Sequence, residues 1–238
     1  MIKNINNIKN NYHLNSKYWQ DYKKRLPFLP QPLFDVPIGM ILGDVSMYKV
    51  SREAYMKFEQ GYKQKLFIDH FFTIFGKYVF MEKPGKRFNF SVLHKKKVKS
   101  FWFKTFSHPS FTQLYILFYK ESMRNSKLCR KKTISENLIT NYLTCKGLAY
   151  WIMCDGSLQK NKKTIILHTQ GYTLKENHNL SAELNMKFKL NTKVKSHKSK
   201  YYVIEIPAKN SVCVLNLIKP YIIDSMKYKL PCDNFNKM

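Results

Sequence analysis

Two aspartates close apolar segments of this chain in the same manner. Residues 37–44 read PIGMILGD and residues 148–155 read LAYWIMCD, so Asp44 and Asp155 each follow a small residue at the end of about two apolar helical turns. Fifteen residues after Asp44 stands Glu59, and fifteen after Asp155 stands Gln170. Equal spacing in two places is what a duplicated unit leaves behind. A single Asp at a helix end is an ordinary turn residue; a duplicated pair asks for more. Two carboxylates brought together repel unless a divalent cation lies between them. Magnesium takes oxygen ligands and also binds phosphate. Cation-dependent chemistry at a phosphate is therefore what these residue types offer.

The elements that must carry these residues read as two similar halves. In the first, an apolar helix covers about Val36 to Gly43, and a hairpin follows from Val45 to Gln60, turning near Ser51 to Ala54. A helix spans about Tyr62 to Tyr78. Strands follow near Arg87 to Leu93 and Val98 to Phe106, with alternation in Phe88, Phe90 and Val92 and again in Phe101 and Phe103. Pro109 opens a helix reaching Tyr119. In the second half a helix runs to Cys154, strand pieces include Thr164 to Thr169, and Thr173 with Glu176 forms a capping-box pattern opening a helix to Met186. Strands near Thr192 to Ser196 and Tyr201 to Ile206 precede a helix at Ser211 to Leu217. The domain reading is an N-terminal extension over 1–35, a first half over 36–124, a linker over 125–144 and a second half over 145–238. Each half reads α-β-β-α-β-β-α, which predicts an α+β fold with antiparallel sheets rather than a parallel βαβ sheet.

Composition narrows the partners. Lys and Arg number 42 against 15 Asp and Glu, a formal net charge of +27. Such an excess repels itself unless a polyanion is near, which makes nucleic acid the first candidate and anionic membrane or ribosomal RNA its competitors. Lysine outnumbers arginine, favouring phosphate contact over bidentate base reading. No apolar run approaches the roughly 18 residues of a membrane span, and no membrane partner is expected. Residues Met1 to Asn15 lack the apolar block of a signal peptide and the Arg and Ser enrichment of a transit peptide. A protein of this kind working inside an organelle is expected to be made there. The five cysteines, Cys129, Cys145, Cys154, Cys213 and Cys232, include no C-x-x-C pair, which argues against a disulfide framework or zinc site. No Gly-rich phosphate loop, H-E-x-x-H or nucleophile elbow occurs.

The two Asp-terminated segments resemble the LAGLIDADG motif. The second keeps Leu148, Ala149, Ile152, Asp155 and Gly156, with Cys154 in the small-residue slot; the first keeps Gly39, Ile41, Gly43 and Asp44. On these residues the chain resembles the LAGLIDADG homing endonucleases of the single-chain, two-motif type. That resemblance implies a saddle of antiparallel β-sheets over a central two-helix interface, with Gly39, Gly43, Ala149 and Cys154 letting the helices approach. It implies site-specific double-strand cleavage of a long asymmetric DNA by metal-dependent hydrolysis, for intron homing. The metal would be Mg2+, with Mn2+ able to substitute, held by Asp44, Asp155 and the backbone of Gly43 and Cys154. Lys132 and Lys229 match active-site lysines, and Glu59 and Gln170 match polar residues around the metal-bound water. His197 lies near an outer position of that site. Cys154 stands where a related enzyme has a second acid. A mitochondrial, organelle-encoded monomer is implied. The same scaffold also serves group I intron RNA maturases, and a catalytically degenerate DNA-binding relative is a third reading.

On that fold the strands would lie as ribbons in the major groove of double-stranded DNA. Lys49, Arg52, Lys57, Lys86, Arg87 and Lys99 are the DNA-binding candidates of the first half. Gln159, Lys160, Lys162, Lys163, Lys193, Lys195, Lys198 and Lys200 are those of the second. The run Lys95 to Lys97 suits a hairpin tip gripping phosphate. Tyr115, Phe118, Phe71 and Phe75, at helical spacing, read as core rather than as base-stacking groups. Binding through six to ten phosphates is expected to lose roughly 10³–10⁵-fold in affinity between 50 and 200 mM salt. A titration of nucleic-acid binding against salt checks this, and a flat affinity would remove phosphate contact as its basis.

Overall fold

The computed structural model describes residues 13, 15–91, 94–124 and 127–231. In chain order the helices are α1 (Lys17–Arg25), α2 (Gln31–Leu42), α3 (Lys65–Ile74), α4 (Pro109–Phe118), α5 (Leu138–Tyr142), α6 (Cys145–Asp155), α7 (Leu174–Phe188) and α8 (Ser211–Ile218). The strands are β1 (Ser46–Val50), β2 (Glu53–Gly61), β3 (Gly85–Ser91), β4 (His94–Lys104), β5 (Tyr119–Arg124), β6 (Lys127–Lys132), β7 (Gly156–Leu158), β8 (Ile165–Leu167), β9 (Lys193–His197) and β10 (Tyr201–Ile206). The chain divides into two compact units, Met1–Pro30 with Val45–Tyr115 and Gln31–Asp44 with Ile116–Met238.

Each unit holds a four-stranded antiparallel sheet. The orders are β1-β2-β4-β3 and β7-β8-β10-β9, the same topology twice. The α-β-β-α-β-β-α order therefore recurs from α2 to α4 and from α6 to α8, and the α+β class read from the sequence holds. Alternation builds the first sheet: Ala54, Met56 and Phe58 of β2 are buried while Tyr55, Lys57 and Glu59 face the other way. Its core is aromatic, with Phe58 stacked on Phe103 at 4.4 Å and Phe71 and Phe75 packed around Phe58. In the second unit Ile165, Leu167, Ile204 and Ile206 supply the buried face of the sheet. Tyr115 and Phe118 are buried, as expected of core residues.

Local signals set several element ends. Thr173 accepts from the Glu176 N–H, and the Glu176 carboxylate accepts from the Thr173 N–H at 2.8 Å, so the capping box read from the sequence is formed. Thr144 caps α6 by accepting from the Gly147 N–H at 3.1 Å. Helix α2 begins five residues before the expected Val36. Pro32 sits in its first turn, where a missing N–H costs nothing, and Pro37 is tolerated inside the helix. Residues 119–124 and 127–132 pair antiparallel as β5 and β6, where no strand is expected from the sequence. Both strands are mostly polar and exposed, so no apolar alternation marks them. Asn125 and Ser126 of the expected linker, Val92 and Leu93 of the expected strand, and Cys232 lie outside the described residues, as do most of residues 1–15. Among the described residues no helix is long and apolar enough to cross a membrane.

The contact that positions the site is between α2 and α6. Both are buried along most of their length, Val36 to Leu42 in one and Gly147 to Met153 in the other. Gly39 lies so close to α6 that a Cβ built on it would stand 1.8 Å from the Gly147 carbonyl oxygen. A Cβ on Gly147 would stand 3.0 Å from the Asp35 carbonyl oxygen, and one on Gly43 would stand 2.7 Å from Cys154 Cβ. The helices thus meet backbone to backbone. The sequence reading named Gly39, Gly43, Ala149 and Cys154 for this role, and Gly147 joins them.

Gly39→Ala is expected to cost about 3 kcal/mol, because the obstructing atoms are backbone and cannot rotate away. At roughly 2–4 °C per kcal/mol for a chain of this size, the midpoint of thermal unfolding should fall by about 6–12 °C. Gly61→Ala, where a Cβ meets nothing within 4 Å, should leave the midpoint nearly unchanged. Equal midpoints for the two variants would refute the close approach.

Candidate active site

Asp155 is the last residue of α6, and Asp44 follows α2 by two residues, in a turn closed by the Gly43 N–H donating to the Met40 carbonyl at 3.1 Å. The α2–α6 contact therefore delivers both acids to one point, where their side chains hydrogen-bond to each other. Asp155 is half-buried and Asp44 is exposed. Burial, then the Asp44 charge and the shared hydrogen bond, push Asp155 up to about 7 against the opposing pull of Lys132 and Lys229. A proton between the two oxygens is what allows the contact.

Two lysines flank the pair, and both are tied to the ends of its helices. Lys132, the last residue of β6, donates to the Gly43 carbonyl at 3.0 Å. Lys229 donates to the Met153 carbonyl at 2.5 Å and to the Cys154 carbonyl at 3.2 Å. Helix C-termini leave carbonyls without intrahelical donors and carry partial negative charge, so an ammonium group fits there. Burial pushes Lys132 down to about 8 despite the charges of Asp155 and Asp44. Lys229 is lowered by burial in the same way. Tyr172 closes the floor, donating to the Leu42 carbonyl at 2.8 Å with the Lys132 ammonium 5.8 Å from its ring centre. Burial, then Asp155, raises its hydroxyl well above the usual range, so it remains a donor. The Cys154 thiol is raised by burial and by both acids, and it stays protonated.

Gln170 is linked to this cluster through His168. The His168 N–H donates to the Asp155 carbonyl at 3.0 Å, its Nε2 lies 2.8 Å from Ser157 Oγ, and its Nδ1 lies 3.2 Å from Gln170 Nε2. Burial, then the neighbouring His197 and Lys229, lower the His168 pKa. Glu59 belongs to the first unit. Lys57 donates to its Oε2 at 2.8 Å, Ser100 donates to its Oε1 at 2.7 Å, and Arg87 lies 3.0 Å from Oε1. Burial would raise Glu59, but these hydrogen bonds and charges leave it lowered overall.

The donor set fits a divalent cation. Among the described residues no group of three or more His, Cys, Asp or Glu side chains could hold a metal. Two carboxylates that need a shared proton to coexist are what the site offers, together with carbonyls that each keep a second lone pair. A doubly charged ion held here would supply a stronger counter-charge than that proton. Oxygen donors of this kind suit a hard cation.

The sequence profile of the LAGLIDADG DNA endonuclease family matches residues 34–213. A probable intron-encoded endonuclease 1 from Wickerhamomyces canadensis is 38% identical over 221 residues, covering 91% of each chain. The chain belongs to the LAGLIDADG DNA endonuclease family. A probable intron-encoded DNA endonuclease 3 from Mycosarcoma maydis is 47% identical over 135 residues, 57% of this chain and 96% of that one. The solved structure of the homing endonuclease I-WcaI bound to its DNA recognition sequence superposes with a TM-score of 0.83 at 35% identity, covering 97% of this chain and 99% of that chain. LAGLIDADG endonucleases are generally dependent on a divalent metal, in keeping with the donor set. The fold class and the family read from the motif residues both stand.

The basic candidates occupy varied places. In the first unit Lys57 and Arg87 lie on the sheet face away from the core, and both engage Glu59. Lys49 pairs with Ala54 and so shares the core-side face, and Lys86 pairs with Phe101. Arg52 is in the β1–β2 turn, and exposed Lys99 is the residue bulged between Val98 and Ser100. Tyr48, Tyr55, Trp102 and Lys104 share the outer face and were not read from the sequence. In the second unit Lys193 and Lys195 lie opposite Glu205 and Val203 on the outer face, with Lys195 3.9 Å from Glu205. Gln159, Lys160, Lys162, Lys198 and Lys200 are exposed in turns, and Lys163 is half-exposed. Of Lys95 to Lys97, only Lys97 has a described side chain, and it is exposed.

His168, Ser157 and Tyr172 were also missed. His168 stands two residues before Gln170 in the segment that follows β8, and that spacing was the available signal.

Because Asp155 titrates near 7 when folded and near 3.8 as a free side chain, the folded state binds the extra proton across that window. Its stabilising effect is complete below about 4 and is lost as pH rises through about 7. Without divalent cation, Asp155→Asn should therefore gain on the native protein across this range, by roughly 2–4 °C in midpoint for each kcal/mol relieved. Thermal melts in chelator from pH 4 to 8 check it, and a difference independent of pH would contradict the close carboxylate pair.

Proposed function

We propose that this chain is a site-specific DNA endonuclease that makes a double-strand break in a long asymmetric target by divalent-metal-dependent phosphodiester hydrolysis, in the service of intron homing. The observation that carries this is the hydrogen-bonded Asp44–Asp155 pair at the ends of paired helices, flanked by two tethered lysines. Asp44 and Asp155, with the Gly43 and Cys154 carbonyls, would hold Mg2+, or Mn2+ in its place. When bound, such an ion supplies Lewis acidity and lowers the pKa of coordinated water. The chain's own residues do the rest. Lys132 and Lys229, fixed by backbone carbonyls, carry positive charge that can stabilise the growing charge on a phosphate. Gln170 and Glu59 are polar groups for ordering water, each held by its own neighbours.

Residues 36–124 and 145–238 act as the duplicated halves, with 1–35 as an extension and 125–144 as the connection. The outward lysines, with Arg52, Arg87 and Gln159, hold DNA phosphates and groove edges. The intron-encoded names of the relatives support a mitochondrial gene product, and the chain works as a monomer. Binding of group I intron RNA is the competing role for this scaffold. It would not require the carboxylate and lysine constellation, which favours cleavage.

Asp44→Asn or Asp155→Asn is expected to lower magnesium-dependent double-strand cutting of the intronless exon junction by on the order of 10³-fold or more. Binding of the same DNA should persist. Full cutting by both variants would exclude these residues, and a splicing requirement without any cutting would favour the RNA role.

A further inference from the structure

The two halves repeat more than their aspartates. Thirteen residues after Asp44 stands Lys57, and thirteen after Asp155 stands His168. Lys57 donates to Glu59 at 2.8 Å, and His168 contacts Gln170 at 3.2 Å, so in each unit the residue at thirteen grips the residue at fifteen. Lys57 and Glu59 are two residues apart on one face of β2, while His168 and Gln170 are two residues apart just beyond the end of β8, Gln170 in the turn that follows. Ser157, two residues after Asp155, completes the second arrangement from the neighbouring strand at 2.8 Å.

The chemistry of this contact fixes a direction. The Gln170 nitrogen that faces the ring can only donate, so Nδ1 must accept and be unprotonated. The single ring proton then belongs on Nε2, where Ser157 Oγ accepts it. With its NH2 committed to the ring, the Gln170 amide cannot exchange its two ends. Its carbonyl oxygen is held on the side away from His168. The His168 N–H bond to the Asp155 carbonyl ties the arrangement to the carboxylate pair through the main chain.

We propose that His168 is a positioning residue for hydrolysis: with Ser157 it sets its own tautomer and thereby orients Gln170, whose carbonyl oxygen accepts a hydrogen bond from the reacting water. No proton is transferred in this role. Lys57 does the corresponding work for Glu59 with a charge instead of a tautomer. The inference rests on the endonuclease reading and on Gln170 belonging to its water network.

The test compares His168→Ala, His168→Asn, Gln170→Ala and the His168→Ala/Gln170→Ala double variant, with thermal midpoints recorded for each. Single-turnover cutting of the exon-junction DNA with Mg2+ and DNA binding are both measured. His168→Ala should slow the cutting step about tenfold, the scale of one lost hydrogen bond, with DNA affinity unchanged. His168→Asn, whose amide oxygen can accept in place of Nδ1, should recover most of the rate. In the Gln170→Ala background the His168→Ala change should add nothing. Losses that multiply in the double variant, or His168→Asn as slow as His168→Ala, would overturn the proposal. So would an Nδ1–H tautomer seen by nitrogen NMR of the ring in the free protein. A native protein that cuts while these variants cut equally well defeats this inference alone; a native protein that never cuts defeats the endonuclease reading and this one with it.

Discussion

The approach of Gly39 to Gly147 decides where α2 and α6 end, and with that it forces Asp44 against Asp155. No side chain separates the helices at their crossing, so the acids cannot drift apart without undoing the buried interface. The stabilisation comes from the apolar flanks, Ile38, Met40 and Ile41 on one helix and Leu148, Trp151 and Ile152 on the other, all fully buried. Burial on this scale, a few kcal/mol per large apolar side chain, can hold a repulsive contact that surface carboxylates would relax. The scaffold therefore sets the carboxylate contact, and a shared proton relieves its charge.

Placing acids at helix C-termini works against the helix dipole, which favours cations there. The two lysines answer that conflict. Lys132 binds the carbonyl that ends the α2 turn, and Lys229 binds the last carbonyls of α6. These bonds supply donors to carbonyls at the helix ends, and they also fix two ammonium groups beside the acids. In a chain of net charge +27, most lysines are exposed and interchangeable. These two are distinguished by what they bind. Three of the other basic candidates, Lys57, Arg87 and Lys195, face acids of their own sheets, which places their side chains before any DNA arrives.

Much of the architecture could be read in the residues themselves. The Asp-terminated apolar segments, the Thr173 capping box and the buried Phe101 and Phe103 of β4 each depend on local pattern, and each formed as expected. Strands β5 and β6 escaped because mostly polar, exposed strands have no apolar period. Gly147 escaped because a glycine in a helix interior shows its purpose only when the facing backbone is known. His168 and Ser157 escaped for a similar reason. Their role depends on the β7–β8 pairing that brings residues eleven apart into hydrogen-bond range. Glu59 and Gln170 are equally spaced from their aspartates, yet one lies within a strand among charges and the other in a turn beside a histidine. Spacing reveals descent from a repeat, while the neighbours decide how each copy is used.

Calorimetric titration of the metal-free protein, without DNA, with Mn2+ at pH 6, in two buffers of different ionisation enthalpy, probes the proposed cation site directly. Binding should be coupled to release of close to one proton, because the ion would displace the proton held between Asp44 and Asp155. That release should vanish in Asp155→Asn. Cation binding with no proton release, or with the same release in Asp155→Asn, would contradict it.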